Sequence, residues 1–400
     1  MKKYWKLFML GIFTFSLLGI HYVQAARETS NYLTLGLKTI HGDESVVAER
    51  TFYGYYNQSP IFQSAIVKLN GATTALNGLY VYDVLFPYIP IEMKSLTEQY
   101  RSFTRGKMVQ PMFYYEDEQR LLYVDIPIKN NPTSPMPVTL HVSSLTKENG
   151  KQVDYKATTL QSLPFKYVYV EEVQFVDGYI KVVANAFEAG RGSMLYVFTI
   201  DDKTRTVKEY KPLTTTEEGE EQVGNRLYKD YYSFTSQTKQ TNFLYGSVSY
   251  VDRAVEATPN SATTPDENVK DFKLFKIDLK TMVTAAIDVP EAVRNNSIIS
   301  RATNDATHFV VNGENNTLEL YSYHFDNDEW THIELENSFD VAASQVFVVD
   351  DVLYVPHEKY GDVDKSFIDA YNITTGKQLY RGEVTSESDE PFNFNMSSMK

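Results

Sequence analysis

The chain has 400 residues, of which 42% are hydrophobic and 14% aromatic, and it carries a formal net charge of −14. It contains no cysteine, which excludes disulfides, thiolate zinc sites, iron–sulfur clusters and cysteine nucleophiles. The length allows two or three domains or one large all-β domain, and the 30 tyrosines and 23 phenylalanines favour strands. The acidic balance argues against nucleic acid as a partner.

The N-terminal segment differs from the rest of the chain. Three lysines precede an apolar run over residues 7–20, and Ala25 ends a Val-Gln-Ala sequence whose small residues suit a cleavage site. Residues 1–25 are therefore predicted to be a signal peptide or an uncleaved N-terminal membrane anchor. Their removal takes away three lysines and no acids, which leaves 35 basic and 52 acidic residues, a net charge of −17. We expect an extracytoplasmic protein, secreted or anchored at its N-terminus, that meets the membrane only through this segment.

Strand-like runs follow at 49–56, 64–71 and 78–86, and the sequence at 93–103 is typical of a short helix. After residue 110 the chain repeats one shape, a hairpin followed by a strand–turn–strand segment. The five repeats span 111–157, 166–212, 228–290, 297–336 and 343–385.

The turns of these repeats carry hairpin signals. Asp177-Gly178 stands between two alternating runs, and Asp350-Asp351 occupies the same place in the last repeat. In the third repeat, the first hairpin is predicted over 231–251. Four-stranded units that recur about every 50 residues are typical of β-propeller blades. The prediction is an all-β fold, a propeller of six or seven four-stranded antiparallel blades over 28–385, with a flexible tail at 386–400. The alternative is a run of hairpins in a sandwich or in two small β domains.

The stretch "AYNITTGKQLY" at 370–380 resembles the blade motif of quinoprotein-type (tryptophan-docking-like) propellers, Ala-x-Asp-x-x-Thr-Gly-Lys-x-x-Trp. Asn372 replaces the Asp of the motif, and Tyr380 replaces the docking Trp. Trp330 lies near the docking position of the preceding repeat. The resemblance implies a propeller blade whose Thr-Gly forms a tight turn. It is clear in one blade, and because such blades occur in cofactor-dependent dehydrogenases and in cofactor-free envelope scaffolds, it does not choose between them. The matching residues are Ala370, Thr375, Gly376 and Lys377.

The loops between the second and third strands of the repeats are predicted to share one face. They are longer than the other turns, and long loops on a rigid scaffold commonly form binding sites. The longest, 252–270, is typical of a flap or partner-binding arm. The residues that we select as the candidate binding face are Asn130, Asn131, Glu188, Arg191, Arg253, Glu267, Asn315, His357 and Glu358. Each has a plain alternative as part of a solvated or closing loop.

Chemical motifs are sparse. Asp362 and Asp364 could offer oxygen ligands to Ca²⁺, but their spacing is not that of a known calcium loop, and a solvated acidic loop is the favoured interpretation. His308 and His324 fall on neighbouring predicted strands without a third ligand. No nucleophile elbow, phosphate loop or zinc-protease motif is present. We therefore predict no cofactor and no catalytic residues.

These observations favour an exported, non-enzymatic and monomeric propeller that binds a protein or a cell-envelope polysaccharide through the loop face. Two alternatives stay open at this point. One is an exported glycan hydrolase or lyase, since catalytic carboxylates are hard to detect in a sequence. The other is a membrane-anchored sensor or regulator.

Overall fold

The computed structural model of the protein has two compact units. The first unit is formed by residues 1–88, 315–317 and 335–400, and the second by residues 89–314 and 318–334. Both are built from antiparallel strands, so the all-β prediction is confirmed. The described residues are 5, 9, 11–20, 35–58, 61–69, 91–127, 135, 137–188, 192–213, 223–228, 242–250, 269–295, 299–303, 305–313, 317–338, 341–343, 345–359, 362–386 and 393–399.

The second unit contains four strand groups in chain order. The first group is β4 (Tyr114–Glu116), β5 (Arg120–Asp125), β6 (Thr139–Thr146) and β7 (Lys151–Thr158). The second is β8 (Phe165–Val176), β9 (Tyr179–Glu188), β10 (Gly192–Asp201) and β11 (Thr206–Pro212). The third is β12 (Val223–Tyr228), β13 (Asn242–Tyr250), β14 (Val269–Asp278) and β15 (Val283–Ile287), and the fourth is β16 (Ile299–Ala302), β17 (Ala306–Asn312), β18 (Leu318–His324) and β19 (Glu329–Glu334).

Within each group, neighbouring strands pair antiparallel in sequence order, which is the order of a propeller blade. The second and third groups join into one eight-stranded sheet because β10 pairs in parallel with β12 at Gly192 and Ser193. The prediction for the first strand of the third group was misplaced. Strand β12 ends at Tyr228, before the predicted 231–251 segment begins.

The first unit contains two sheets. One has the order β1 (Leu35–Gly42), β24 (Gln378–Ser386), β23 (Asp362–Asn372), β22 (Val352–Lys359) and β20 (Val341–Ala343), with β21 (Phe347–Val349) also paired to β22. The other has the order β25 (Asn393–Met399), β2 (Phe52–Gln58) and β3 (Ile61–Val67). The N-terminal strand β1 thus pairs with β24, and the C-terminal strand β25 pairs with β2. The predicted flexible tail is therefore wrong for 393–399, because these residues complete a sheet.

Helices are few in the described part of the chain. They are α1 (11–20), α2 (Ser45–Ala48), α3 (Ile91–Gln99), α4 (Arg101–Thr104) and α5 (Glu291–Asn295), with a 3₁₀ turn at Pro111–Phe113. The helix predicted near 93–103 corresponds to α3 and α4, whose Met93 and Phe103 join the core of the first two strand groups. Within the described residues, no helix is long and apolar enough to cross a membrane.

A shared turn geometry closes five of the hairpins. In each, the amide of one residue donates to the carbonyl four positions earlier, and that donor residue has positive φ. The donor–acceptor pairs are Gly150–Thr146, Arg205–Asp201, Met282–Asp278, Asp328–His324 and Gly376–Asn372. Asp201, Asp278 and Asn372 also accept backbone N–H groups of their own turn through their side chains. The predicted Thr-Gly turn is confirmed, since Gly376 has φ 69°. Asp177-Gly178 and Asp350-Asp351 also have positive φ at both residues, as a type I′ hairpin requires.

Candidate functional site

A cleft of about 670 Å³ lies in the second unit, between β14–β15 of the eight-stranded sheet and β18–β19 of the next sheet. We call it the Trp330 cleft. Its volume falls within the range of small-molecule sites. The residues that line it are Asn242, Lys276, Asp278, Thr281, Val283, Ala285, Ala286, Ile287, Asp288, Tyr323, Asp328 and Trp330.

The cleft rests on apolar packing between the two sheets. Leu244 and Leu274 from β13 and β14 share one buried cluster with Phe309 from β17 and Tyr323 from β18. Val293 from α5 completes this cluster. The walls are therefore held by well-packed strands, and the polar groups of the cleft come mainly from β14, β18 and the adjoining turns.

Asp328 is held in the cleft by two donors. Its left-handed turn conformation, with φ 59°, brings the carboxyl toward β14. The Lys276 ammonium and the Tyr323 hydroxyl both donate to Asp328 Oδ1, the latter at 2.9 Å. Lys276 Nζ also donates to the carbonyl of Phe325 at 3.0 Å. Oδ1 of the Asp328 carboxylate thus accepts two hydrogen bonds, while the side chain as a whole is 62% exposed.

The pKa values of Asp328 and Tyr323 are shifted in opposite directions. The hydrogen bond from Lys276 lowers the pKa of the Asp328 carboxyl, although burial acts weakly in the other direction. Burial raises the pKa of the Tyr323 hydroxyl, and Asp328 raises it further. At neutral pH Asp328 is therefore an anion and Tyr323 a protonated donor.

Trp330 offers an aromatic surface whose orientation is fixed. Its indole N–H donates to the carbonyl of Asp288 at 3.0 Å. Its ring meets Tyr323 edge-on at 5.3 Å and Phe309 at 5.6 Å between centroids. The side chain is half-buried, so part of the ring is open. A ring whose N–H is paired and whose neighbours are buried loses little conformational freedom when a ligand binds.

Strand β15 forms the apolar side of the cleft. Val283 is 61% exposed, and Ala285 and Ala286 are also exposed. The turn before this strand is closed by Asp278, whose carboxylate accepts from the amide of Lys280 and from the hydroxyl of Thr281. The cleft thus combines an apolar strand, an aromatic ring and carboxylates.

A separate polar pair is buried in the last sheet of the second unit. His308 Nδ1 lies 2.8 Å from Ser322 Oγ, and His308 Nε2 lies 3.4 Å from Thr303 Oγ1. His308 is 2% and Ser322 4% exposed. Burial lowers the pKa of His308 to about 4, and nearby His324 contributes. The imidazole is therefore neutral at physiological pH, and the pair is a satisfied part of the core.

The first unit contains a buried ionic network on β22, β23 and β24. Asp369 is fully buried and accepts from Arg381 Nε at 2.8 Å, from Arg381 Nη2 at 2.5 Å and from the Tyr371 hydroxyl at 2.9 Å. His357 Nε2 lies 3.2 Å from Asp369 Oδ2, an ion-pair contact without the alignment of a hydrogen bond. Burial alone would raise the pKa of Asp369, but Arg381 and His357 outweigh it and the pKa is lowered. The network links three neighbouring strands.

The predicted binding residues are only partly described. His357 was predicted on a long loop, but β22 extends to Lys359 and β23 begins at Asp362, so His357 is a buried strand residue that contacts Asp369. Glu358 is half-buried on the same strand. Glu188 lies on β9, and Asp362 and Asp364 lie on β23, where only their backbone is described. The predicted residues outside the described residues are Ala25, Asn130, Asn131, Arg191, Arg253, Glu267 and Asn315, and the 252–268 segment also lies outside them.

The chain matches no protein-family model and no curated protein sequence. Among solved structures it is similar to a variant of the Synechocystis apocarotenoid oxygenase, with 10% identity, a TM-score of 0.42, and coverage of 90% of this chain and 74% of that one. It is also similar to the cobalt-substituted form of this oxygenase, with 11% identity, a TM-score of 0.40, and coverage of 84% and 71%.

Two predictions are corrected by this finding. The similar structures are enzymes and one holds cobalt, which contradicts the predictions of a non-enzymatic binding protein and of a chain without a cofactor. Identities and TM-scores this low carry neither the oxygenase reaction nor its metal over to this chain. In the described part of the chain, no three His, Asp or Glu side chains are grouped to hold a metal ion.

Sequence reasoning noticed Trp330 but missed its partners. Lys276 and Asp328 are 52 residues apart and belong to different repeats. The available signal was local: Asp328 occupies the turn position that Gly376 fills in the last repeat, and aspartate is enriched at positive φ.

Proposed function

We propose that this chain binds a small organic ligand in the Trp330 cleft. The observation that carries the proposal is the pairing of a fixed, partly open indole with an ionised Asp328. Among the described residues, no hydrogen bond reaches Asp328 Oδ2, since Lys276 and Tyr323 both donate to Oδ1. A ligand with an apolar ring or chain and one hydrogen-bond donor complements these two groups.

We further propose that the strand groups are blades of a propeller with six or seven blades. The sequence order of the four strands in each group and the shared turn geometry support this architecture. The pairing of β1 with β24 and of β25 with β2 supports closure by strands from both ends of the chain.

The N-terminal segment is proposed to direct export and to remain as an anchor wherever it is not cleaved. Most side chains of α1 are apolar and exposed, among them Phe13, Phe15 and Ile20. Sequencing of the secreted protein would test cleavage, because removal after Ala25 leaves Ala26 as the first residue. Retention of peptides that begin at Met1 would argue for an anchor.

Ligand binding can be measured through tryptophan fluorescence, because the chain has only Trp5 and Trp330. In a Trp5→Phe chain, all tryptophan emission comes from the cleft. Three probes that share one ring and differ in charge are suitable: cyclohexylammonium, cyclohexanol and cyclohexanecarboxylate. We expect at least one of them to change the emission saturably.

A variant that fills the Trp330 cleft tests whether the fluorescence response arises from binding there. Ala285→Phe on the exposed face of β15 should fill the cleft and abolish saturation. Thr206→Phe adds the same ring to an exposed position of β11 that does not line the cleft, and should leave the response intact. If no probe changes the emission, or if Ala285→Phe has no effect, ligand binding in this cleft is refuted.

A further inference from the structure

The charges and shape of the Trp330 cleft point to the class of its ligand. Resting on the proposed function, we infer that the cleft selects an organic ammonium ion, an amine attached to an apolar ring or chain, over neutral and anionic molecules of the same shape.

The first argument is the charge of the lining. The lining includes three carboxylates, those of Asp278, Asp288 and Asp328, and one ammonium, that of Lys276. Lys276 is already committed to Asp328 Oδ1 and to the carbonyl of Phe325. The cleft therefore has a surplus of negative charge, which repels anions and attracts cations.

Arg294 offsets only part of this surplus. Its Nη2 lies 4.0 Å from Asp288 Oδ1, and the same nitrogen donates to the carbonyl of Val289 at 3.3 Å. The Asp288 side chain is fully exposed at the rim. It therefore remains a carboxylate that an incoming cation can approach.

The second argument is the geometry around Asp328. Two donors hold Oδ1 and orient the carboxylate, so Oδ2 is positioned as an acceptor. A charged N–H donor forms a stronger hydrogen bond to a carboxylate than a hydroxyl does. An ammonium group can therefore bind Asp328 Oδ2 without displacing Lys276 or Tyr323.

The third argument is the aromatic and apolar surface. Indole is the best of the aromatic side chains at attracting a cation over its face. Val283 and Ala285 on β15 offer methyl groups to the hydrocarbon part of the ligand. The same cleft thus binds both ends of an amphipathic amine.

The test compares the three cyclohexyl probes by their dissociation constants in the Trp5→Phe chain. Cyclohexylammonium should bind at least about tenfold more tightly than cyclohexanol, and cyclohexanecarboxylate should bind most weakly. Added sodium chloride should reduce the advantage of the ammonium and leave cyclohexanol unchanged.

Two variants examine the carboxylates. Asp328→Asn should remove most of the advantage of the ammonium probe. Asp288→Asn changes a fully exposed side chain, so it tests the charge argument even if Asp328→Asn fails to fold. Asp326→Asn is the matched control, because Asp326 is an exposed acid in the same turn that does not line the cleft.

The outcomes separate this inference from the proposed function. Tighter binding of the ammonium, weakened by Asp288→Asn and not by Asp326→Asn, supports the inference. Equal or tighter binding of cyclohexanol or of the carboxylate overturns it and leaves ligand binding in the cleft standing. A lack of response to all three probes overturns both.

Discussion

The buried imidazole of His308 should make the stability of this protein depend on pH. Its folded pKa is about 4, against an ordinary value of 6.5, because burial disfavours the imidazolium. At pH values between these two pKa values, the unfolded chain therefore binds a proton at His308 that the folded chain does not bind. The contribution of His308 to stability is fully present above pH 6.5 and is lost as the pH drops toward 4.

The magnitude follows from the difference of the two pKa values. A shift of about 2.5 units corresponds to about 3 kcal/mol once the pH is below both values, and to about 2 kcal/mol at pH 5. The assay is urea unfolding of the wild-type chain and of His308→Gln at pH 7.5 and pH 5. Glutamine keeps a polar group beside Ser322 but does not titrate in this range.

We expect the wild type to lose about 2 kcal/mol more than His308→Gln between pH 7.5 and pH 5. Replacing exposed His41 with Gln is the control and should leave the pH dependence of the wild type in place. The reasoning is refuted if the free energies of unfolding of the wild type and of His308→Gln fall in parallel, because the difference isolates the proton that His308 binds on unfolding.

Three further predictions concern turns and ion pairs. Gly376→Val should lower the free energy of unfolding by about 1–3 kcal/mol, because Gly376 has φ 69° and valine is disfavoured there; an unchanged melting temperature would contradict this. Arg205→Gly should raise the melting temperature, with a gain of up to about 1 kcal/mol, since Arg205 has φ 58° at the equivalent turn position; a loss of stability would show that its side chain matters more than its backbone. Asp369→Asn should cost about 3 kcal/mol, because it removes the buried partner of Arg381, whereas Asp350→Asn at an exposed ion pair should cost less than about 1 kcal/mol; similar losses in urea unfolding would count against a special role for the buried network.

The turns show how far local sequence reasoning reaches. Asp177-Gly178 and the Thr-Gly pair at 375–376 were both predicted as turns, and both have the expected positive φ. The same reasoning did not find that Arg205 and Met282 adopt the same conformation, because arginine and methionine side chains give little warning of it.

His357 shows where local reasoning fails. Residues 357–365 were predicted as a long loop, but pairing of Glu358 with Ser366 extends the hairpin, and the His357 ring stacks on Phe367. His357 also contacts Asp369 on β23, whose carboxylate binds Arg381 on β24. Nothing in the nine residues of the supposed loop indicates those partners.

The sequence by itself determined the strand-rich fold class and tight turns such as 177–178 and 375–376, because alternation and turn chemistry act over a few neighbouring residues. Only the tertiary structure decided which polar groups meet. Lys276 reaches Asp328 from another sheet, and β1 pairs with β24 from the opposite end of the chain. Such contacts join residues that are far apart in the sequence. They depend on how whole sheets pack and pair, which no short stretch of sequence determines.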